Sequence, residues 1–229
     1  MGTLTYLQMV DRLARRITQT AVTDVTTVTG QALMISEMVN EAQSSLSLDE
    51  NWYTLYADRT FNTVAATATV AVASDFARTI DIVDTTNNRR LIEVSIKEID
   101  MMDRGLDTQG TPTHFALVGS AYRFYRIPSS ATAMKERYWK KPTVMTADGD
   151  TSSLPEFCDN LIMYWVEKEI YRYLNKFENA DRAERSFLLE DVRCKKANRR
   201  IINKLRVFTP AGGLESPGLP RLPMSYPIG

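Results

Sequence analysis

Helix-period apolar spacing occurs at both ends of the chain and is lost between them, and this change of period limits the possible folds more than any other feature. Leu4, Leu7, Val10, Ala14 and Ile17 recur at intervals of three and four. That spacing predicts a helix over residues 5–18, with Arg12, Arg15 and Arg16 mostly on its other face. Residues 20–29 are crowded with β-branched side chains, which disfavour helix, and Gly30 punctuates the segment. A second helix is expected over residues 31–46, burying Leu33, Ile35, Met38, Ala42 and Leu46.

From about residue 52 to 141 the pattern shortens to strands. Segments 61–72, 79–83 and 91–96 are rich in Thr, Val, Ala and Ile, and Asp84, Thr85, Thr86, Asn87 and Asn88 make a polar turn between the last two. Ser95 and Glu98 stand at capping-box spacing, which predicts a short helix over 96–103. Gly119 and Ser120, between 115–118 and 122–127, predict a β-hairpin whose aromatics Tyr122, Phe124 and Tyr125 divide over both faces. A last strand is expected over 133–139, before Lys140, Lys141 and Pro142 lead out.

Turn and cap residues fill 148–153, and Pro155 suits a first helical turn. A long helix is expected from there, with Phe157, Leu161, Trp165, Val166, Ile170, Leu174 and Phe177 on its apolar side and a break at 178–181. Another helix should follow to 207, with Ala183, Phe187, Cys194, Ala197, Ile201 and Leu205 inward. Helices bracketing strands point to an α+β fold: a four-helix bundle with an inserted β-rich domain and an extended C-terminal arm. The expected boundaries are 1–50 and 146–207 for the two halves of the bundle, 51–145 for the insertion and 208–229 for the arm.

Chemistry-bearing motifs are sparse. His114 is the only histidine, and neither a G-x-S-x-G elbow nor triad partners accompany it, so it reads as a strand residue. Cys158 and Cys194 match no zinc spacing and no CxxC, and they read as packing residues of a reducing compartment. Asp148 and Asp150 resemble a fragment of a calcium loop, but the glycine falls too early and the further carboxylates are missing, so turn and cap is preferred. Phosphate-loop patterns are absent. No catalytic centre, metal site or cofactor is expected. Residues 1–20 carry charge where a signal peptide would be apolar, and no run approaches a membrane span, so a soluble, non-secreted protein is expected.

Basic and acidic residues balance at 28 each, which gives no global field for nucleic acid. The balance is local only. Arg193, Lys195, Lys196, Arg199, Arg200, Lys204 and Arg206 form a stretch without an acid, readable as a solvated, ion-paired helix face or as a contact for DNA or an acidic partner. Beyond it, five prolines and four glycines exclude helix and central strand from residues 209–229. That stretch is nonetheless nearly uncharged and carries Leu214, Leu219, Leu222, Met224, Tyr226 and Ile228. Such a segment is not expected to fold alone, since ordering it costs more than its burial returns, but many copies docked into preformed pockets would add up. Phe208, Leu214, Leu219, Leu222 and Tyr226 are its candidate anchors.

Several strings, taken in order, resemble head-to-tail adaptor proteins of tailed bacteriophages, also called connector or neck proteins. They are Asn40, Glu41 and Ala42 leading to Trp52; Thr111 to Phe115 before Tyr122 to Pro128; Tyr138 to Pro142; and Leu154, Pro155, Glu156 and Phe157 opening the long helix. The resemblance implies a ring, usually of twelve subunits, between portal and tail, with a channel for genome passage and ejection. It implies portal protein, tail or nozzle proteins and other copies of the chain as partners, transient contact with DNA, and no membrane. The expected location is the virion's head-to-tail junction, after assembly in the host cytoplasm. A DNA-binding protein using the basic helix, or another neck or tail-completion ring protein, are the alternatives.

Overall fold

The computed structural model describes residues 3–103, 105 and 107–207, the last three by their backbone alone. Its helices are α1 (Tyr6–Ile17), α2 (Gly30–Asp49), α3 (Ile96–Met102), α4 (Asp159–Tyr173) and α5 (Phe177–Val207). Thr5 opens α1 with a reciprocal cap: its hydroxyl accepts from the Gln8 amide and the Gln8 side chain accepts from the Thr5 amide. The next two amides, of Tyr6 and Leu7, donate to the carbonyls of Asp150 and Asp148 at 2.7 and 3.2 Å. Donors that a helix start leaves open are thus met by the turn before α4.

The apolar stripes of α1, α2 and α4 meet in one core. Met9, Leu13, Ile35, Val39, Leu161 and Val166 have no exposed surface. Leu33 does not join them, contrary to its expected place on the buried side, and is 43% exposed. Ile35, Val39, Ala42 and Leu46 hold the buried stripe at intervals of four, three and four, and Leu33 lies two positions out of phase with it. The break between α4 and α5 also falls earlier than expected. Asn175 takes a left-handed φ of +57° and the chain turns at 174–176, so Leu174 ends α4 while Phe177 begins α5 and is exposed. Asparagine is among the few residues that enter this conformation readily. α5 then packs along α4, and Cys194 with part of Phe187 reaches the shared core.

The middle of the chain forms two four-stranded sheets around a second core. The strands are β1 (Tyr56–Asn62), β2 (Thr69–Ala71), β3 (Phe76–Asp84), β4 (Arg89–Arg90), β5 (Ile92–Glu93), β6 (Gln109–Gly110), β7 (His114–Val118), β8 (Ala121–Tyr125), β9 (Ile127–Pro128) and β10 (Ala133–Lys140). One sheet has the order β1-β10-β3-β4 and the other β2-β8-β7-β5, while β6 and β9 pair by themselves. The expected strand over 61–72 divides, because residues 63–68 turn away through Ala66 at φ +60° and carry the chain from the first sheet to the second. Of the expected strand over 91–96, Ile92–Glu93 is what pairs, parallel to β7. The hairpin forms as expected: β7 and β8 join through Gly119 and Ser120, and Gly119 supplies the positive φ, +61°, that a tight turn requires. The capping box of Ser95 and Glu98 starts α3, which lies on β7 and β8.

Alternation on β10 points Met134, Glu136 and Tyr138 inward, beside Ile82, Phe115, Tyr122 and Phe124. Glu136 is fully buried and fully partnered. Arg59 donates to one oxygen at 2.5 Å and the Tyr122 hydroxyl to the other at 2.6 Å. Burial, with the carboxylate as acceptor, pushes the Tyr122 hydroxyl well above its ordinary range. Trp52, which has no exposed surface and donates to the Leu46 carbonyl, belongs to the helical core, and Trp139 of β10 packs against that core with its ring edge-on to Tyr56 at 6.1 Å. The mixed α+β class is therefore observed, with four helices drawn from the two ends of the chain.

Candidate assembly surfaces

The polar side chains inside the helical part hold chain crossings together. Asn40 brackets Met145, donating to its carbonyl at 3.0 Å and accepting from its amide at 2.9 Å. One turn on, Gln43 donates to the Thr143 carbonyl and accepts from Ser152 and Ser153. Asn198, fully buried on α5, accepts from the Tyr53 amide and donates to the Asn51 carbonyl. Three amides thus fasten both connections between the two cores, and each uses its separate donor and acceptor atoms together. In the sequence Asn40 stands in one of the family-like strings with no role attached to it, and the polar character of Gln43 and Asn198 at core-facing positions is the signal that marks them.

The sequence candidates for chemistry separate. His114 is half-buried, its Nδ1 2.8 Å from the Thr113 hydroxyl and its ring against Tyr125. Asp148 accepts from the Val25 amide and Asp150 from the amides of Thr146 and Ala147, which holds the Asp150 carboxyl below its ordinary range. Asp150 thus closes a turn as expected, whereas Asp148 ties that turn to the loop before α2, and neither side chain caps a helix. Cys158 and Cys194, distant in sequence, lie side by side and buried with free thiols, and the neighbouring Cys194 and burial push the Cys158 thiol up. Among the described residues no group of three His, Cys, Asp or Glu is placed to hold a metal ion, and no helix is long and apolar enough to cross a membrane. A cleft between the cores is lined by Leu48, Trp52, Leu55, Arg78 and Trp139 and is mainly apolar.

The basic stretch of α5 is split by its own partners. Arg193 pairs with Glu190 at 3.4 Å, Lys195 with Asp191 at 2.8 Å, and Arg199 with Glu50, just past α2, at 3.1 Å. Lys196, Arg200 and Lys204 are exposed and make no ion pair among the described residues. Directly before Lys196 on the same outer side stand Leu188, Leu189 and Val192, at 57, 76 and 68% exposed. The outer side of α2 is of opposite sign: Leu33, Glu37, Glu41 and Leu48 face solvent, and neither glutamate has an ion-pair partner among the described residues. Leu205 and Arg206 as side chains, and the arm with Phe208, Leu214, Leu219, Leu222 and Tyr226, lie outside the described residues.

A helical part carrying an inserted pair of sheets, whose buried polar groups brace the frame and whose outer helix faces present leucines and unpaired charge, defines a structural protein of the assembling kind. The family comparison gives this class its identity. Residues 4–201 match the SU10 adaptor protein family, and the chain belongs to it: it is a head-to-tail adaptor of tailed bacteriophages, a structural protein of the virion that works with other head and tail proteins. None of the curated proteins matches the chain.

Proposed function

We propose that the chain forms a ring between portal and tail, coupling the two and leaving a channel for the genome. The observation that carries this reading is the extent of the family match, which runs through both the helical part and the inserted sheets. In this reading the four end helices act as one bundle that builds the ring, the β-rich insertion of 51–145 meets tail or nozzle proteins, and residues 208–229 form the arm that docks on the portal. Twelve copies is the proposed number. Assembly takes place in the host cytoplasm, DNA is a transient visitor to the channel, and the adaptor is non-enzymatic. The balance of 28 basic and 28 acidic residues suits a channel that must release what it passes.

Electron microscopy of the purified full chain mixed with its portal tests the proposal. Rings stacked on the portal are expected, and deletion of residues 209–229 should leave a folded protein that no longer attaches. A wild-type chain that neither assembles nor binds the portal overturns the ring, and attachment that survives the deletion overturns the arm.

A further inference from the structure

We infer that the outer stripe of α5 seats on the outer stripe of α2 of a second copy, an interface that rests on the ring reading and specifies its contact. Two observations point to this occupant. The first is complementarity within one sequence: Val192, Lys196 and Arg200 follow each other at steps of four, and Leu33, Glu37 and Glu41 repeat the same step with opposite charge. All six are exposed, and none of the four charged residues has an ion-pair partner among the described residues. Laid parallel, the stripes put Val192 on Leu33, Lys196 on Glu37 and Arg200 on Glu41.

The second observation is that the two stripes differ while belonging to one chain, so a contact between copies is heterologous, the kind that forms a ring where its rotation closes. DNA suits this face less well, because Leu188, Leu189 and Val192 offer phosphates nothing.

The test uses the full chain, whose native thiols are buried. Combining Leu33→Cys with Val192→Cys should give a ladder of disulfide-linked oligomers on oxidation of the portal-bound protein, whereas mixing the two single variants should give covalent dimers at most. In parallel, Glu37→Lys with Glu41→Lys, or Lys196→Glu with Arg200→Glu, should weaken self-association by about tenfold or more, and all four changes together should recover most of it. Circular dichroism verifies folding of each variant. Wild-type-like assembly in every charge variant, or no cross-link in portal-bound rings, overturns the interface and leaves the ring standing; such a result assigns the face to another protein, to residues 208–229 or to DNA. A wild-type chain that forms no ring overturns both.

Discussion

Asp159 shows how a single carboxyl can set a pH response. It begins α4, is buried, and accepts from the Leu4 amide at 2.7 Å. Burial pushes its carboxyl up to about 6 from an ordinary 3.8, and Glu156 adds to the rise, while the Leu4 amide and the Arg12 charge oppose it. Between these values the folded protein holds a proton that the unfolded chain gives up. The group therefore contributes stability at low pH and loses it as pH rises through about 6. Asp11, Asp24, Glu98 and Asp150 act in the opposite sense, their carboxyls being held low by local donors, and they lose their contribution as pH falls below the ordinary carboxylate range. Asp159→Asn, which still accepts from Leu4, should flatten the melting temperature between pH 4 and 6 and leave the acid limb in place. Parallel profiles for the two proteins would contradict the assignment. Nothing local in the sequence marks Asp159, because its burial comes from Leu4 and α1, more than a hundred residues away.

Among the elements, those with a local signature were legible and those set by partners were not. The capping box at Ser95 and Glu98 and the Gly119 turn formed where short-range chemistry put them, and α1 buries the expected Val10, Ala14 and Ile17, with Met9 and Leu13 more deeply buried than the expected Leu4 and Leu7. The end of α4 did not. Glu178 to Asp181 offers helix-ending residue types, yet they lie inside α5, since the turn had already been made by Asn175 in the left-handed region. Asn175→Gly should be tolerated or mildly stabilising, whereas Asn175→Val should cost about 1–2 kcal/mol in denaturant unfolding. Equal stability of the two variants would mean that the turn does not depend on that residue. The charged stretch on α5 was visible as a run of residues. The pairs of Arg193 with Glu190 and Lys195 with Asp191 stand at helix spacing within α5, whereas the pairing of Arg199 required knowing where Glu50 lies.

At the scale of the molecule, the two cores were foreseeable from the change of period, while the pairing of strands was not. β1 and β10 are neighbours although the whole insertion separates them, and alternation in one strand carries no information about its partner. Trp52 lies in the helical core just before β1, and Trp52→Ala should lower stability by about 3–5 kcal/mol, measured by urea unfolding. A loss below about 1 kcal/mol would mean that the core does not depend on its packing. The neighbouring positions of β1 and β10 also have a mechanical meaning. Both strands enter the sheets at the same end, where Tyr56 faces Trp139, so tension on the helices is drawn along the two strands together. To yield, they must slide as a unit past β3, which β10 grips from Phe76 to Asp84. Such a joint resists by breaking many bonds at once instead of peeling them one by one, which makes it stiff under load along the strands.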